Sequence, residues 1–263
     1  MSVPNVVLNN GIEIPQLGFG VWRVPSGQTR EVVAKALQVG YRHIDTAKLY
    51  ANEEEVGAAV RDSGLERDQV FVTSKVWNDD QGYDRTLRAF DASMDRLGFE
   101  VLDLYLIHWP ADDLGTSVET WKAMEKLYLD GRIRAIGVSN FGPDHLGRLL
   151  ADAEVTPAVN QVELNPYRQR RAVREADAEH GIATEAWAPL AKGGELLSDP
   201  VVTRLAATHE ATPAQVVLRW HLQVGTIAIP KSVTPSRIEE NFAAFGFELD
   251  EEELAALEAL DRD

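Results

Sequence analysis

Short apolar runs alternate with helical segments along the 263-residue chain, and this alternation limits its fold more than any other feature. Eight runs predict strands, at 17–20, 41–45, 70–75, 102–108, 133–138, 158–163, 182–187 and 226–229. The apolar spacing between them predicts helices at 29–39, 52–62, 84–97, 117–130, 143–151, 169–180 and 200–223, with another at 235–244 after the last strand. Short strands that alternate with helices in this way are typical of a parallel sheet.

Two local signals refine this outline. Asn10-Gly11, in the middle of the segment 6–15, is a strong turn signal between two short apolar runs and predicts an N-terminal β-hairpin. Thr212-Pro213 offers a hydroxyl cap and a first-turn proline, so the segment 200–223 is expected to be two helices.

The parallel sheet could be a closed barrel or an open doubly wound sheet. A doubly wound sheet would normally bind a dinucleotide at a G-x-G-x-x-G motif after its first strand. Here the two glycines at 18 and 20 are followed by no third glycine. We therefore predict an α/β fold, a (β/α)8 TIM barrel with an N-terminal β-hairpin. No linker or repeat interrupts the chain, so one barrel domain over 1–263 is expected.

The composition limits the partners. The net charge of −16 repels nucleic acid and anionic membranes, and no apolar run approaches the ~20 residues of a membrane helix. Cysteine is absent, so disulfides and thiolate metal ligands are excluded, and we expect no metal site. Residues 1–4 lack a basic segment followed by an apolar core, which favours a cytoplasmic location. Without an exposed apolar stripe, a monomer is expected.

Four side chains that can exchange protons lie at or just past strand ends. Asp45 ends the second predicted strand and Tyr50 follows it, while Lys75 and His108 end the third and fourth. The carboxyl ends of barrel strands converge on one mouth, where catalytic groups lie. Each residue alone has a structural explanation, such as a capping role for Asp45 or core packing for His108. Their joint placement favours a catalytic site.

Together these four residues suit the protonation of a carbonyl oxygen. A tyrosine, with a pKa near 10, becomes an acid near neutral pH if a cation stabilises its anion, and lowering its pKa by two units requires about 2.7 kcal/mol. Lys75 is the candidate cation, and Asp45 would keep it charged. His108 could orient the substrate oxygen or share the acid role. No side chain supplies a hydride, so a cofactor must.

Aromatic residues are predicted to surround this mouth. Trp22, Trp77, Trp109 and Trp187 each end or directly follow a strand, which favours an apolar pocket for a small molecule. Rim packing explains any one of them, but less readily all four. Lys48 could attract an anionic substrate or simply reach solvent.

The sequence resembles the aldo-keto reductases in motifs spread over nearly the whole chain. Residues 45–53 match the signature Asp-Thr-Ala-x-x-Tyr-x-Asn-Glu, and later blocks of the family match at 104–110, 136–141, 160–166, 229–232 and 237–241. The resemblance is closest to bacterial 2,5-diketo-D-gluconic acid reductases. It implies reduction of aldehydes and ketones, including α-dicarbonyl or keto-sugar substrates, to alcohols.

The resemblance also implies roles for individual residues. Tyr50 would be the general acid, supported by Asp45 and Lys75, and His108 would orient the carbonyl. NADPH is the implied cofactor, with its nicotinamide at Ser139, Asn140, Gln161 and Trp187 and its 2′-phosphate and adenine at Lys231, Ser232, Arg237, Glu240 and Asn241. The remaining cofactor positions are Gly20, Val21, Trp22, Asp45, Pro189, Leu190 and Val233. The implied substrate positions are Trp22, Lys48, Trp77, His108 and Trp109.

Some implications remain open from the sequence. Lys231 and Arg237 form a local cationic pair that would favour a 2′-phosphate, but both could be solvated surface charges near Glu239 and Glu240. Thr234 stands where relatives often have another arginine, which implies a weaker preference for NADPH. Relatives also continue past the last helical segment with a tail over the pocket, so a more open pocket is expected here.

Two other functions fit parts of the pattern. A regulatory protein of the same fold, like the potassium-channel β-subunits, would bind NADPH and turn over little. The complete set of proton-handling residues argues against it. A barrel aldolase or isomerase would use Lys75 as a Schiff base, but a lysine paired with Asp45 would stay protonated and non-nucleophilic.

Overall fold

The structure is a computed structural model that describes residues 3–111 and 114–263. A hairpin of β1 (Asn5–Val7) and β2 (Glu13–Pro15) comes first. The larger sheet follows as β3 (Phe19–Gly20), β4 (His43–Asp45), β5 (Phe71–Val76), β6 (Leu102–Ile107), β7 (Ile133–Ser139), β8 (Val159–Glu163), β9 (Ala183–Trp187) and β10 (Ile227–Ala228). All of its described strand pairs are parallel, and neighbours in the chain are neighbours in the sheet.

Helices surround this sheet. They are α1 (Thr29–Val39), α2 (Glu53–Asp62), α3 (Tyr83–Leu97), α4 (Leu114–Leu129), α5 (Pro143–Leu150), α6 (Arg171–Glu179), α7 (Pro200–Thr208), α8 (Pro213–Gln223), α9 (Pro235–Phe242) and α10 (Glu251–Glu258). No helix in the described ranges is long and apolar enough to cross a membrane.

Hydrogen bonds between the first and last strands close the sheet into a barrel. The Gly18 amide donates to the Ala228 carbonyl at 2.9 Å, and the Ala228 amide donates to the Gln16 carbonyl at 2.9 Å. The Gly20 amide continues the seam by donating to the Pro230 carbonyl at 3.1 Å. The predicted (β/α)8 barrel with an N-terminal hairpin is therefore confirmed.

The strands beside this seam are shorter than the sequence predicted. The first predicted strand, 17–20, is regular only at Phe19–Gly20, and the last, 226–229, only at Ile227–Ala228. Hydrogen bonds at the seam continue on either side of these short strands without regular ladder geometry. Apolar composition marks which residues enter a strand, whereas the length of a ladder depends on how two distant segments meet.

The predicted break within 200–223 is present, because α7 ends at Thr208 and α8 begins at Pro213. Thr212 Oγ1 accepts a hydrogen bond from the Gln215 amide at 3.3 Å, and Gln215 Oε1 accepts one from the Thr212 amide at 2.9 Å. This reciprocal capping box satisfies amides that the first turn of a helix leaves free.

The hairpin closes the bottom of the barrel. Leu8 and Ile14 are buried against residues of the barrel interior that include Phe71 and Leu104. Two turn side chains fix the hairpin there, since Asn9 Nδ2 donates to the Pro157 carbonyl and Asn10 Nδ2 to the Arg134 carbonyl, both at 2.9 Å. With one end covered, a ligand enters from the opposite end, where the strands terminate.

A close contact between α2 and α3 depends on Gly57. A methyl group added there would lie 2.0 Å from the Leu97 carbonyl oxygen, a backbone atom at the end of α3. We expect Gly57→Ala to lower the free energy of unfolding by about 1–3 kcal/mol, because the helices must separate to relieve the clash. Gly147→Ala in α5 is the matched control. Its added methyl group meets no atom within 4 Å, so it should stabilise the protein by about 0.5–1 kcal/mol. Thermal unfolding of both variants measures the difference. Equal Tm values would contradict a close contact between α2 and α3 at Gly57.

Candidate active site

A cavity of about 890 Å³ opens at the carboxyl ends of the strands. Most of the predicted site residues line it: Gly20, Trp22, Asp45, Tyr50, Trp77, His108, Trp109, Ser139, Asn140, Gln161, Trp187, Pro189, Leu190, Lys231, Ser232, Arg237, Glu240 and Asn241. Residues separated by as many as 221 positions in the chain, Gly20 and Asn241, thus share one concave surface, as expected for a barrel mouth.

A buried ion pair lies beneath this cavity. Lys75 is fully buried, and its ammonium donates to Asp45 Oδ1 at 2.7 Å, to Asp45 Oδ2 at 2.8 Å and to the Thr46 carbonyl at 3.0 Å. Burial alone would lower the pKa of Lys75, but the Asp45 carboxylate, together with Tyr50 and Glu185, outweighs burial and the net pKa is raised. Lys75 is therefore a fixed positive charge at neutral pH.

Tyr50 reaches this pair from a single 3₁₀ turn, Lys48–Tyr50, that follows β4. Its hydroxyl lies 3.4 Å from Lys75 Nζ. Burial raises the pKa of Tyr50 above its ordinary value and outweighs the opposing effect of Lys75. The sequence suggested a lowered pKa, and the structure gives the opposite net direction, because the loss of hydration around the phenol outweighs the attraction of the cation. Tyr50 is consequently a neutral hydrogen-bond donor at neutral pH.

His108 completes the proton-handling group. Its ring contacts Tyr50 and Trp77 edge-on, with centroid distances of 5.7 and 5.1 Å. Burial, and to a smaller extent the nearby Lys75 charge, lower the pKa of His108 to about 3. The imidazole is therefore neutral at physiological pH, and it can orient an oxygen more readily than it can protonate one.

Amide side chains line the wall next to Tyr50. Asn140 has a left-handed backbone, with φ of 64°, and its Nδ2 donates to the His108 carbonyl and to Ser139 Oγ, both at 3.0 Å. Its Oδ1 accepts the Trp187 indole N–H at 2.9 Å, which fixes the plane of that ring. Gln161 Nε2 donates to Asp45 Oδ2 at 2.8 Å. These bonds connect the polar wall to the buried ion pair.

The far end of the cavity is cationic. Lys231 and Arg237 line it, and neither forms an ion pair within the described ranges of the chain. Glu239, which the sequence offered as a neighbouring surface charge, pairs with Lys35 instead. Partial burial lowers the pKa of Lys231. Two cations without acidic partners form a suitable site for a bound anion in this acidic protein.

Besides Lys75, the structure places three predicted residues away from the cavity wall. Lys48 pairs with Asp80, so its charge is neutralised and does not face the cavity. Val21 is buried beneath the wall, and the side chain of Val233 is 38% exposed outside it. The pairing of Lys48 joins residues 32 positions apart, so no local sequence signal revealed it.

Sequence reasoning missed other members of the site. Glu185 is fully buried in β9 and accepts a hydrogen bond from Gln161 at 2.8 Å. Arg23 also lines the cavity and stacks on Trp22, with its guanidinium carbon 4.3 Å from the ring centroid. An acidic residue inside an otherwise uncharged strand, 182–187, was the available signal for Glu185.

The geometry predicts how much the buried pair matters for stability. We expect Lys75→Met to lower the free energy of unfolding by about 3–5 kcal/mol, because it leaves the Asp45 carboxylate buried without its cation. The double variant Lys75→Met/Asp45→Asn removes both charges and should recover part of the loss. Denaturant unfolding of the two variants and of Asp45→Asn completes the cycle. A double variant no more stable than Lys75→Met would show that the two charges are not coupled.

Known proteins resemble this chain over nearly its whole length. Residues 16–262 match the Aldo/keto reductase family. An aldo-keto reductase of Mycobacterium sp. (strain KMS) is 54% identical over 261 residues, which are 99% of this chain and 94% of that protein. A glyoxal reductase of Bacillus subtilis is 50% identical, covering 98% and 93%. The methylglyoxal reductase DkgA of Salmonella typhimurium is 47% identical, covering 100% and 95%.

Solved structures agree with the sequence relatives. An aldo/keto reductase from Brucella melitensis superposes with a TM-score of 0.97 at 49% identity, covering 99% of both chains. A point mutant of Gox0644 in complex with NADPH superposes with a TM-score of 0.95 at 49% identity, covering 100% of this chain and 95% of that one. The named reductases among these relatives act on glyoxal and methylglyoxal, so the narrower resemblance to 2,5-diketo-D-gluconic acid reductases is not shown. With nearly its whole length matched at this level of identity, the chain belongs to the aldo/keto reductase family of oxidoreductases.

Proposed function

We propose that the protein reduces aldehydes and ketones to alcohols with NADPH, and that Tyr50 is the proton donor. The observation that carries this proposal is the position of the Tyr50 hydroxyl. It lies 3.4 Å from the buried Lys75 ammonium and at the wall of a cavity lined by aromatic, amide and cationic groups. NADPH, when bound, supplies a hydride to the carbonyl carbon.

The residues present fit NADPH at both ends of the cavity. Within the described part of the chain, Gln161 Oε1 accepts no hydrogen bond, although this side chain is almost fully buried. It is thus available to a carboxamide N–H, with Ser139 and Asn140 beside it. The indole of Trp187, held by Asn140, offers a flat face to the nicotinamide ring. Lys231 and Arg237 would hold the 2′-phosphate. The NADPH complex of Gox0644, a protein of closely similar structure, supports NADPH as the cofactor.

Tyr50 would donate its proton to the carbonyl oxygen as negative charge develops there. An alkoxide is a stronger base than a phenolate, so the transfer is favourable even though burial raises the pKa of Tyr50. Lys75 lies close enough to stabilise the phenolate that remains, and Asp45 keeps Lys75 in place. Neutral His108 would orient the substrate oxygen by a hydrogen bond. After product release, the phenolate regains a proton from water.

The pocket walls support small carbonyl substrates. Trp22 and Trp109 are 38% and 42% exposed at the mouth, so apolar surface is available to a substrate. The B. subtilis and S. typhimurium relatives are named glyoxal and methylglyoxal reductases, which favours α-dicarbonyl compounds as substrates. A keto-sugar acid remains an alternative substrate that the same acid could protonate.

The environment of Lys75 disfavours Schiff-base chemistry. Its ammonium donates to Asp45 and to the Thr46 carbonyl, and it is fully buried. The Asp45 carboxylate raises its pKa against the effect of burial, so the amine is protonated and not nucleophilic. An aldolase or isomerase role for Lys75 is therefore not proposed.

We expect Tyr50→Phe to lower kcat for NADPH-dependent reduction of methylglyoxal by about 10²-fold or more, because the proton donor is lost. NADPH oxidation, followed by absorbance, measures turnover, and quenching of tryptophan fluorescence measures NADPH binding. The variant should bind NADPH about as tightly as the wild type. Undiminished turnover would contradict the role of Tyr50. Tight NADPH binding by the wild type without turnover of any aldehyde or α-dicarbonyl would favour the regulatory alternative.

The pH profile of reduction should show no titration of His108. Because its pKa is lowered to about 3, its imidazole stays neutral from about pH 5 to 7, where a free histidine would change charge. Tyr50 keeps its proton over the same range, because its pKa is raised. We expect kcat/KM of the wild type and of His108→Gln to have parallel profiles in this range, at different levels. An inflection near pH 6.5 in the wild type alone would contradict a neutral His108.

A further inference from the structure

A second acid lies deeper in the barrel than the proposed proton donor. Glu185 is fully buried in the middle of β9, directly opposite Gln161 of β8 in the strand register. Its Oε2 accepts a hydrogen bond from Gln161 Nε2 at 2.8 Å. Its Oε1 has no hydrogen-bond partner among the described residues, and the nearest basic atom is His43 Nε2 at 3.5 Å. The mechanism proposed above does not use this carboxyl group.

The Gln161 amide lies between two carboxyl groups. One N–H of its Nε2 points to Asp45 Oδ2 and the other to Glu185 Oε2, both at 2.8 Å. A primary amide has two N–H donors, so both are used. The carbonyl oxygen of the same amide accepts no hydrogen bond from the described chain, and Gln161 lines the cavity. The amide therefore presents an acceptor to a ligand and keeps its donors for the protein.

The opposite orientation of this amide is strongly disfavoured. A flip about the terminal bond would place the carbonyl oxygen of Gln161 against oxygens of both Asp45 and Glu185. Two donor bonds would be lost, and acceptor atoms would meet in a site of low dielectric constant. With one acid alone, the amide could tilt its second N–H towards the cavity. Both acids are therefore required to fix the direction of the carbonyl group.

We propose that Glu185 is a positioning residue that, with Asp45, locks the Gln161 amide so that the cavity accepts a carboxamide and rejects a carboxylate at the same place. The inference rests on the proposed binding of NADPH. It adds a selection between the nicotinamide cofactor and a nicotinic acid analogue. The Gln161 carbonyl oxygen can accept a hydrogen bond from a carboxamide N–H. It repels a carboxylate, whose oxygens are acceptors only.

The lock is strongest when Glu185 is ionised. Burial and the neighbouring Asp45 carboxylate raise the pKa of Glu185 to about 8, and the Gln161 hydrogen bond opposes that rise. In the anion both oxygens accept. In the neutral acid a proton on Oε1 leaves Oε2 to accept from Gln161, whereas a proton on Oε2 could donate to a flipped Gln161 carbonyl. The Asp45 carboxylate opposes that flip in either state of Glu185. The pKa of the facing His43 is lowered to about 3 by burial, so its ring is neutral and draws no proton from Glu185.

The test is the ratio of two dissociation constants. Isothermal titration calorimetry measures binding of NADP⁺ and of nicotinic acid adenine dinucleotide phosphate, in which a carboxylate replaces the carboxamide. The wild type should bind NADP⁺ more tightly by about tenfold or more. Glu185→Met removes the acceptor at similar volume, and it should reduce this ratio by about fivefold or more. Glu185→Gln keeps an acceptor oxygen, and it should hold the ratio within about twofold of the wild type.

Asp177 offers a matched control, because it contacts the same two strands, β8 and β9. This buried acid of α6 accepts from Asn160 Nδ2 at 2.9 Å and from Thr184 Oγ1 at 2.7 Å, so it contacts the residues next to Gln161 and Glu185. Asp177→Leu removes a buried acceptor from the opposite face of the sheet and should leave the ratio unchanged. Should Glu185→Met not fold, as judged by circular dichroism, Glu185→Leu makes the same change and carries the same expectation.

The possible outcomes separate this inference from the proposed function. A folded Glu185→Met with the wild-type ratio would overturn the positioning role, as would an equal loss of selection in Asp177→Leu. A wild type that binds both dinucleotides equally would overturn the inference while leaving NADPH binding intact. A wild type that binds neither would overturn the proposed function and the inference together.

Discussion

The site depends on one interaction, the burial of the Lys75 ammonium against the Asp45 carboxylate. Removing a charge from water costs several kcal/mol, and a partner with good geometry is needed to offset it. Both Asp45 oxygens and the Thr46 carbonyl meet the ammonium within 3.0 Å. The barrel supplies this geometry because β4 and β5 are hydrogen-bonded neighbours whose ends carry the two residues. Such a pair is a modest source of stability, but it holds a positive charge at a fixed point beneath the cavity.

Asp45 links the two halves of the proposed chemistry. One carboxylate holds the Lys75 ammonium next to Tyr50 and also accepts the Gln161 amide, which points its carbonyl towards the cavity. A substitution of Asp45 would therefore disturb both proton transfer and the binding of the nicotinamide. Glu185 hydrogen-bonds to Gln161 but to neither Lys75 nor Tyr50, so its replacement acts first on the positioning of the ligand.

The barrel could be predicted from the sequence because its signals are local. Each strand is a short apolar run, and the break before Pro213 follows from a capping residue and a proline. The convergence of Tyr50, Lys75 and His108 followed from their positions at strand ends. The ladder lengths at the closing seam could not be predicted, because they depend on contacts between residues 16–20 and 226–230.

The unpredicted features of the site arise from burial and from long-range pairing. Strand-end placement puts Tyr50 near a cation, but the net direction of its pKa depends on how much water the fold removes. Lys48 forms an ion pair with Asp80, and Gln161 donates a hydrogen bond to Glu185. Both contacts join residues that are distant in the sequence, so residue spacing could not predict them. The nicotinamide and phosphate positions were implied by the family resemblance and not by the residue pattern alone.

Isotopic labelling of the cofactor shows directly whether this site transfers a hydride. The protein would be given methylglyoxal and NADPH carrying two deuterium atoms at C4 of the dihydronicotinamide, and the alcohol would be examined by mass spectrometry and NMR. Hydride transfer from the cofactor should place deuterium on the carbinol carbon. With unlabelled NADPH in D₂O, that carbon should carry no deuterium, because the proton handled by Tyr50 goes to oxygen. Solvent deuterium on that carbon, or an alcohol that lacks the cofactor label, would contradict hydride transfer at this site.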